Sequence, residues 1–166
     1  MQQLTLRSPL EVAQRSTEKL SACLRGELSA VETYELALRH INHDPARRTL
    51  ESILANHMRR AELIYDKMHR AGLPVTASSG AWGAFARAVQ VGADLISAST
   101  ALAALEAGEA RGLRLYTTDL DGCDHDTRDF IATTLLPEQQ RTHELCRSIK
   151  HQLRRSSSGA SFRTVH

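Results

Sequence analysis

The stretch Leu24-Arg-Gly-Glu27-Leu-Ser-Ala-Val-Glu-Thr-Tyr34 sets a carboxylate seven residues ahead of a tyrosine inside an otherwise apolar helical pattern. The arrangement returns 82 residues later, where Gly108-Glu109, Tyr116 and Leu120 match Gly26-Glu27, Tyr34 and Leu38. Seven residues make almost two α-helical turns, so acid and phenol share one face. A helix-length segment carrying a histidine follows each copy, His57 in the first half and His143 in the second. The chain reads as two helical hairpins of related design.

Working outward, Ser8-Pro9-Leu10-Glu11 supplies an N-cap serine, a proline for the first helical position and an acid three residues after the cap. From Leu10 the residues Ala13, Thr17, Leu20, Leu24, Glu27, Val31, Tyr34, Leu38 and Ile41 alternate by three and four, the seam of a bundle helix over about 9–41. Asn42 to Pro45 is a short turn, and a second helix over about 45–71 carries Leu50, Leu54, His57, Ala61, Ile64, Met68 and Ala71. Gly72-Leu73-Pro74 stops it. A third helix over about 95–120 has Leu102, Glu106, Glu109, Leu113, Tyr116 and Leu120 on its seam. A fourth, over about 128–153, follows the polar turn Asp121–Asp129. Its apolar track is Ala132, Leu135, Gln139, Cys146, Ile149 and Leu153, with Gln140 and His143 beside it, and Pro137 kinks or restarts it. Residues 72–94 form a crossover containing a short helix at 81–90, residues 1–7 an N-terminal extension, and the Ser-rich 154–166 a disordered tail. Short links make each hairpin antiparallel, and the long middle connection spans the bundle. The expected fold is all-α, a four-helix bundle with one long crossover, the ferritin-like connectivity.

Composition narrows the function classes. At 166 residues with 42% apolar and 24% charged side chains, the chain suits one globular domain. A net charge of +2, evenly mixed, does not suggest a nucleic-acid surface. No apolar run approaches the roughly 18 residues of a membrane span, and no signal peptide precedes the first helix, so a cytoplasmic location is expected. Cys23, Cys123 and Cys146 lack metal-type spacing and read as buried thiols.

The chemistry is expected at mid-bundle. Glu27 and His57 lie equally far from the first turn and therefore at one height; Glu109 and His143 match if most of 121–129 is loop. A buried glutamate is costly unless ionised against a cation or hydrogen-bonded, and two facing acids raise one another's pKa. A divalent metal held by Glu27, Glu109, His57 and His143 resolves that conflict, with Tyr34 and Tyr116 donating to the carboxylates.

The Glu-x6-Tyr motif, the paired hairpins and the crossover resemble the ferritin and bacterioferritin superfamily, and the chain is most similar to the bacterial ferritin-like four-helix domains. Leu24 to Tyr34 resembles the first helix of bacterioferritin, and the likeness extends over about residues 8–153. It implies iron as the metal, while zinc or manganese suit the mixed nitrogen and oxygen ligands equally. The family's di-iron site adds a Glu-x-x-His pair on each of two helices. Here Leu54 and Gln140 stand three residues before His57 and His143, and Glu51 and Glu138 lie on other faces. Complete di-iron oxygen chemistry, or ferroxidase activity, is therefore not expected.

Plainer readings stand beside these. Glu27 and Glu109 as seam acids bonded to a tyrosine or histidine, and His57 as a satisfied buried histidine, need no metal. Glu106 reads as a rim acid, the acidic turn 121–129 as caps rather than a calcium loop, and His40, His43, His69, His125 and His151 as solvated. The competing function is a metal-free interaction or stress-associated bundle acting through its surface, as a homodimer, with neither nucleic acid nor membrane as partner.

Overall fold

The computed structural model describes residues 8–75 and 97–160. All regular structure among them is helical: α1 (Pro9–His40), α2 (Asp44–Arg70), α3 (Ala98–Thr117), α4 (His125–Phe130), a five-residue π-helical stretch (Ile131–Leu135) and α5 (Leu136–Ala160). The last three make one rod, so four long helical rods result. The expected crossover helix at 81–90, the extension 1–7 and the end of the tail lie outside the described residues.

Local chemistry starts α1 as its sequence implies. The Ser8 side chain accepts from the Glu11 N–H, the Glu11 carboxylate accepts from the Ser8 N–H at 2.9 Å, and Pro9 opens the helix. Asp124 caps α4 in the same manner, accepting the Thr127 N–H at 2.7 Å. At the other end of α3, the buried Lys19 ammonium donates to the carbonyls of Leu115 and Thr118, placing a cation at a helix C-terminus.

Packing orders the rods. α1 lies on α2 and α3, and α5 lies on the other flanks of α2 and α3. One apolar cluster joins the end of α1 (Tyr34 to Ile41) to the start of α2 (Ala46 to Ile53), the start of α3 (Ala101 to Leu105) and Cys146 and Ile149 of α5. A second joins Leu20 to Leu24, Ala61 to Met68, Tyr116, and Ile131 and Leu135. α1 is therefore antiparallel to both α2 and α3, and α2 and α3 point the same way. Between the clusters lies a layer of buried polar residues that includes Glu27, His57, Arg60, Glu109, Gln139 and Thr142.

Several sequence expectations need correction. Leu10 is 78% exposed and Ala13 also faces solvent, so burial along α1 begins only at Ser16, past the first two turns of the expected seam. The fourth rod begins at His125 rather than 128, and it stays helical to Ala160 where a disordered tail from 154 was expected. Its buried track is Ile131, Leu135, Gln139, Thr142, Cys146 and Ile149, while Ala132 is exposed. The cause is the π turn, in which the Leu136 N–H bonds to the Ile131 carbonyl five residues back. A widened turn immediately ahead of Pro137 relieves the clash of its ring with the carbonyl four residues earlier, and shifts the helix register by one.

Candidate functional site

Three of the four expected ligands converge. His57, from the middle of α2, places Nδ1 2.7 Å from Glu27 Oε2 of α1 and Nε2 2.9 Å from Glu109 Oε1 of α3. All three side chains are almost wholly buried. Acceptors at both ring nitrogens require an N–H on each, so His57 is an imidazolium clamped between two carboxylates. His143 does not join them. It is half-buried, one residue past Thr142 on α5, where it acts electrostatically on Glu106. The place expected of it is taken by Gln139 and Thr142, which lie on the buried track of α5. Their side chains donate to Glu109 Oε2 at 2.7 and 3.0 Å.

The second cation is one that the seam pattern did not single out. Arg60, 1% exposed, donates from Nε to Glu27 Oε1 at 3.0 Å and from Nη2 to Gln139 Oε1 at 2.9 Å. Its Nη1 donates to Asn56, whose own amide donates to Glu138 on α5. One contact opposes the rest. Arg60 Nη2 lies 2.7 Å from His57 Nδ1, two donors side by side, each satisfied by another acceptor. Arg60 is three residues after His57 and continues the run Ile53, His57, Arg60, Ile64, a signal available in the sequence once a buried acid is seen to need a partner.

The tyrosines cross over. Tyr34 of α1 donates to Glu109 Oε1 at 2.6 Å, and Tyr116 of α3 donates to Glu27 Oε1. Each phenol serves the acid of the other helix, and side-chain direction explains why. Side chains lean toward their helix N-terminus. In antiparallel rods Glu109 therefore leans toward Tyr34 as Tyr34 leans back toward it, while Glu27 leans away from Tyr34 toward Tyr116.

Electrostatics follow from these contacts. Burial alone would raise the Glu27 pKa, but the hydrogen bond and charge of His57, with Arg60, reverse this and hold it below 4.5. Glu109 is likewise lowered: His57, Tyr34 and Thr142 outweigh its burial. For His57, burial works against the charged form, and the bonds to Glu109 and Glu27 overcome it, keeping its pKa above 6.5. Tyr34 and Tyr116 are pushed well above 10, first by burial and then by the adjacent carboxylates, so both remain donors. Cys23 and Cys146 lie nearby with thiols pushed up to about 12 by burial, which leaves them unreactive.

The group does not fit a divalent ion as it stands. Two acids already face two cations, every carboxylate oxygen accepts at least one hydrogen bond, and neither nitrogen of His57 has a free lone pair. Among the described residues no group of three or more His, Cys, Asp and Glu side chains is disposed to hold a metal ion. Glu106, the expected rim acid, is partly buried and pairs with Lys150.

Two glycines beside Glu109 separate packing from access. A Cβ at Gly112 would meet the Gln139 side chain at 2.8–3.1 Å, and Gln139 cannot retreat without leaving Glu109 and Arg60. A Cβ at Gly108 would meet nothing within 4 Å. Gly112→Ala is therefore expected to cost about 1–3 kcal/mol in urea unfolding. Gly108→Ala is expected to gain roughly 0.5–1 kcal/mol from helix propensity. Equal effects of the two substitutions would contradict the packing described. The chain matches no protein-family model, no curated protein and no solved structure.

Proposed function

We propose that this chain is a four-helix bundle of ferritin-like connectivity in which an internal ion network stands where that fold carries metal, and that it works by binding rather than by catalysis. The connectivity is supported by the rods themselves. α2 and α3 run in the same direction, so residues 75 and 97 lie at opposite ends of the bundle, as that connectivity requires. The reciprocal Glu-x6-Tyr pairs at the centre support the same reading.

The observation that carries the metal-free reading is the double engagement of His57 with Glu27 and Glu109 while Arg60 neutralises Glu27. An iron-type site of Glu27, Glu109, His57 and His143 would require Arg60 to be expelled and His143 to rotate into the layer. The same closure removes the open coordination position and the free general base that hydrolytic or oxidative catalysis needs.

Elemental analysis tests this. Protein expressed with iron, zinc and manganese supplied is expected to purify without a stoichiometric metal, and to oxidise Fe(II) no faster than buffer. A stoichiometric metal that disappears in Glu27→Ala and His57→Ala would overturn the proposal.

A further inference from the structure

A cavity of ≈ 320 Å³ runs in from the side between α1 and α3 and ends on the buried layer, with His57 and Gln139 in its floor. Its walls repeat the internal symmetry of the chain. Every α1 residue that lines it has its counterpart 82 residues later in the lining, among them Gly26 with Gly108, Ala30 with Gly112 and Ser29 with Arg111. The void is thus a product of both copies of the motif rather than a local packing fault.

Gly108 adds an independent observation. A mid-helix glycine costs about 1 kcal/mol relative to alanine. Among the described residues no atom demands this one, because none lies within 4 Å of the position its Cβ would take. Among the described residues Gly112 has a partner to accommodate, and Gly108 has only the cavity.

The chemistry of the lining restricts what can enter. The polar floor groups already bond to one another, so a guest gains nothing by offering them a charge or a donor. The walls are mostly small and apolar. At the rim Arg111 is exposed and enters no hydrogen bond or ion pair among the described residues. With roughly 30 Å³ for each water-sized group, the space holds about ten non-hydrogen atoms. We infer that the cavity between α1 and α3 binds a small organic monocarboxylate, its apolar body lying along Gly26, Ala30 and Gly108 and its carboxylate meeting Arg111. This rests on the reading of the chain as a binding bundle and names the ligand class.

Calorimetric titration with octanoate, octan-1-ol and octylamine provides the test. Octanoate is expected to bind with one site per chain, up to about fivefold more tightly than octan-1-ol, since an ion pair at an exposed rim is worth at most about that factor. Arg111→Ala should remove that difference and leave the alcohol unaffected. Gly108→Leu fills the void from a helical position with open space and should abolish binding of both, with circular dichroism confirming the native helix content. Absence of octanoate binding at millimolar concentration, equal affinity for octanoate and octylamine, or unchanged affinity in folded Gly108→Leu would each overturn the inference. None of these bears on metal content, so the metal-free reading stands or falls separately.

Discussion

Replacing Arg60 by alanine is expected to lower the unfolding free energy by about 3–5 kcal/mol, the cost of leaving a buried charge without its partner. The substitution strips Glu27 of a full positive charge and also leaves Gln139 Oε1 and Asn56 Oδ1 without their donor. Arg60→Lys should recover little, because one ammonium cannot serve three acceptors on three helices with the planar fork of a guanidinium. The informative comparison is the double substitution Arg60→Met with Glu27→Gln, which removes charge from both sides. It is expected to cost less than the sum of its single changes, with a coupling of about 1–3 kcal/mol in urea midpoints. Additive costs would show that Arg60 and Glu27 are not partners.

Stability should also depend on pH with two limbs. Glu27 and Glu109 have folded pKa values below their ordinary 4.5. Their contribution is complete above 4.5 and is lost as pH falls through the lowered folded values. His57 has its folded pKa raised above 6.5, so its contribution is complete below 6.5 and is lost as pH rises through the raised value. The maximum from this layer lies between those two ordinary values, and each titrating group steepens the slope by at most about 1.4 kcal/mol per pH unit. Urea unfolding from pH 3 to 9 should show both limbs. His57→Gln should flatten the alkaline one, whatever its effect on overall stability. An alkaline limb that survives unchanged in His57→Gln would mean that His57 is neutral in the folded protein.

The sequence carried the acids and the histidine of α2 because their seam positions are unusual for polar residues. Glu27, His57 and Glu109 interrupt apolar tracks at one height, and the caps at Ser8 and Pro9 were equally readable. Arg60 was hidden because it follows Arg59 in a helix rich in charge, and nothing local distinguishes an arginine turned inward from one turned outward. Only the demand of the buried acids for a cation singles it out, and that demand is equally met on paper by a metal. His143 was misplaced for a different reason. It stood beside the track Leu135, Gln139, Cys146 and Ile149, which the structure keeps buried, and the inward position between Gln139 and Cys146 belongs to Thr142. The π turn ahead of Pro137 displaces only the earlier part, from Ala132 to Ile131. The crossing of the tyrosines depended on the antiparallel course of α1 and α3, a property of the assembled rods.

Charge, unlike backbone pattern, is divided unequally between the two halves. In the central layer the first hairpin contributes Glu27, His57 and Arg60, an excess of one positive charge, and the second contributes Glu109 alone. Two first halves meeting face to face would seal like cations together, and two second halves would seal like anions. Only one of each gives neutrality. Halves that still echo one another in sequence are thus complementary to each other, and not to themselves, in the charge they bring to this layer.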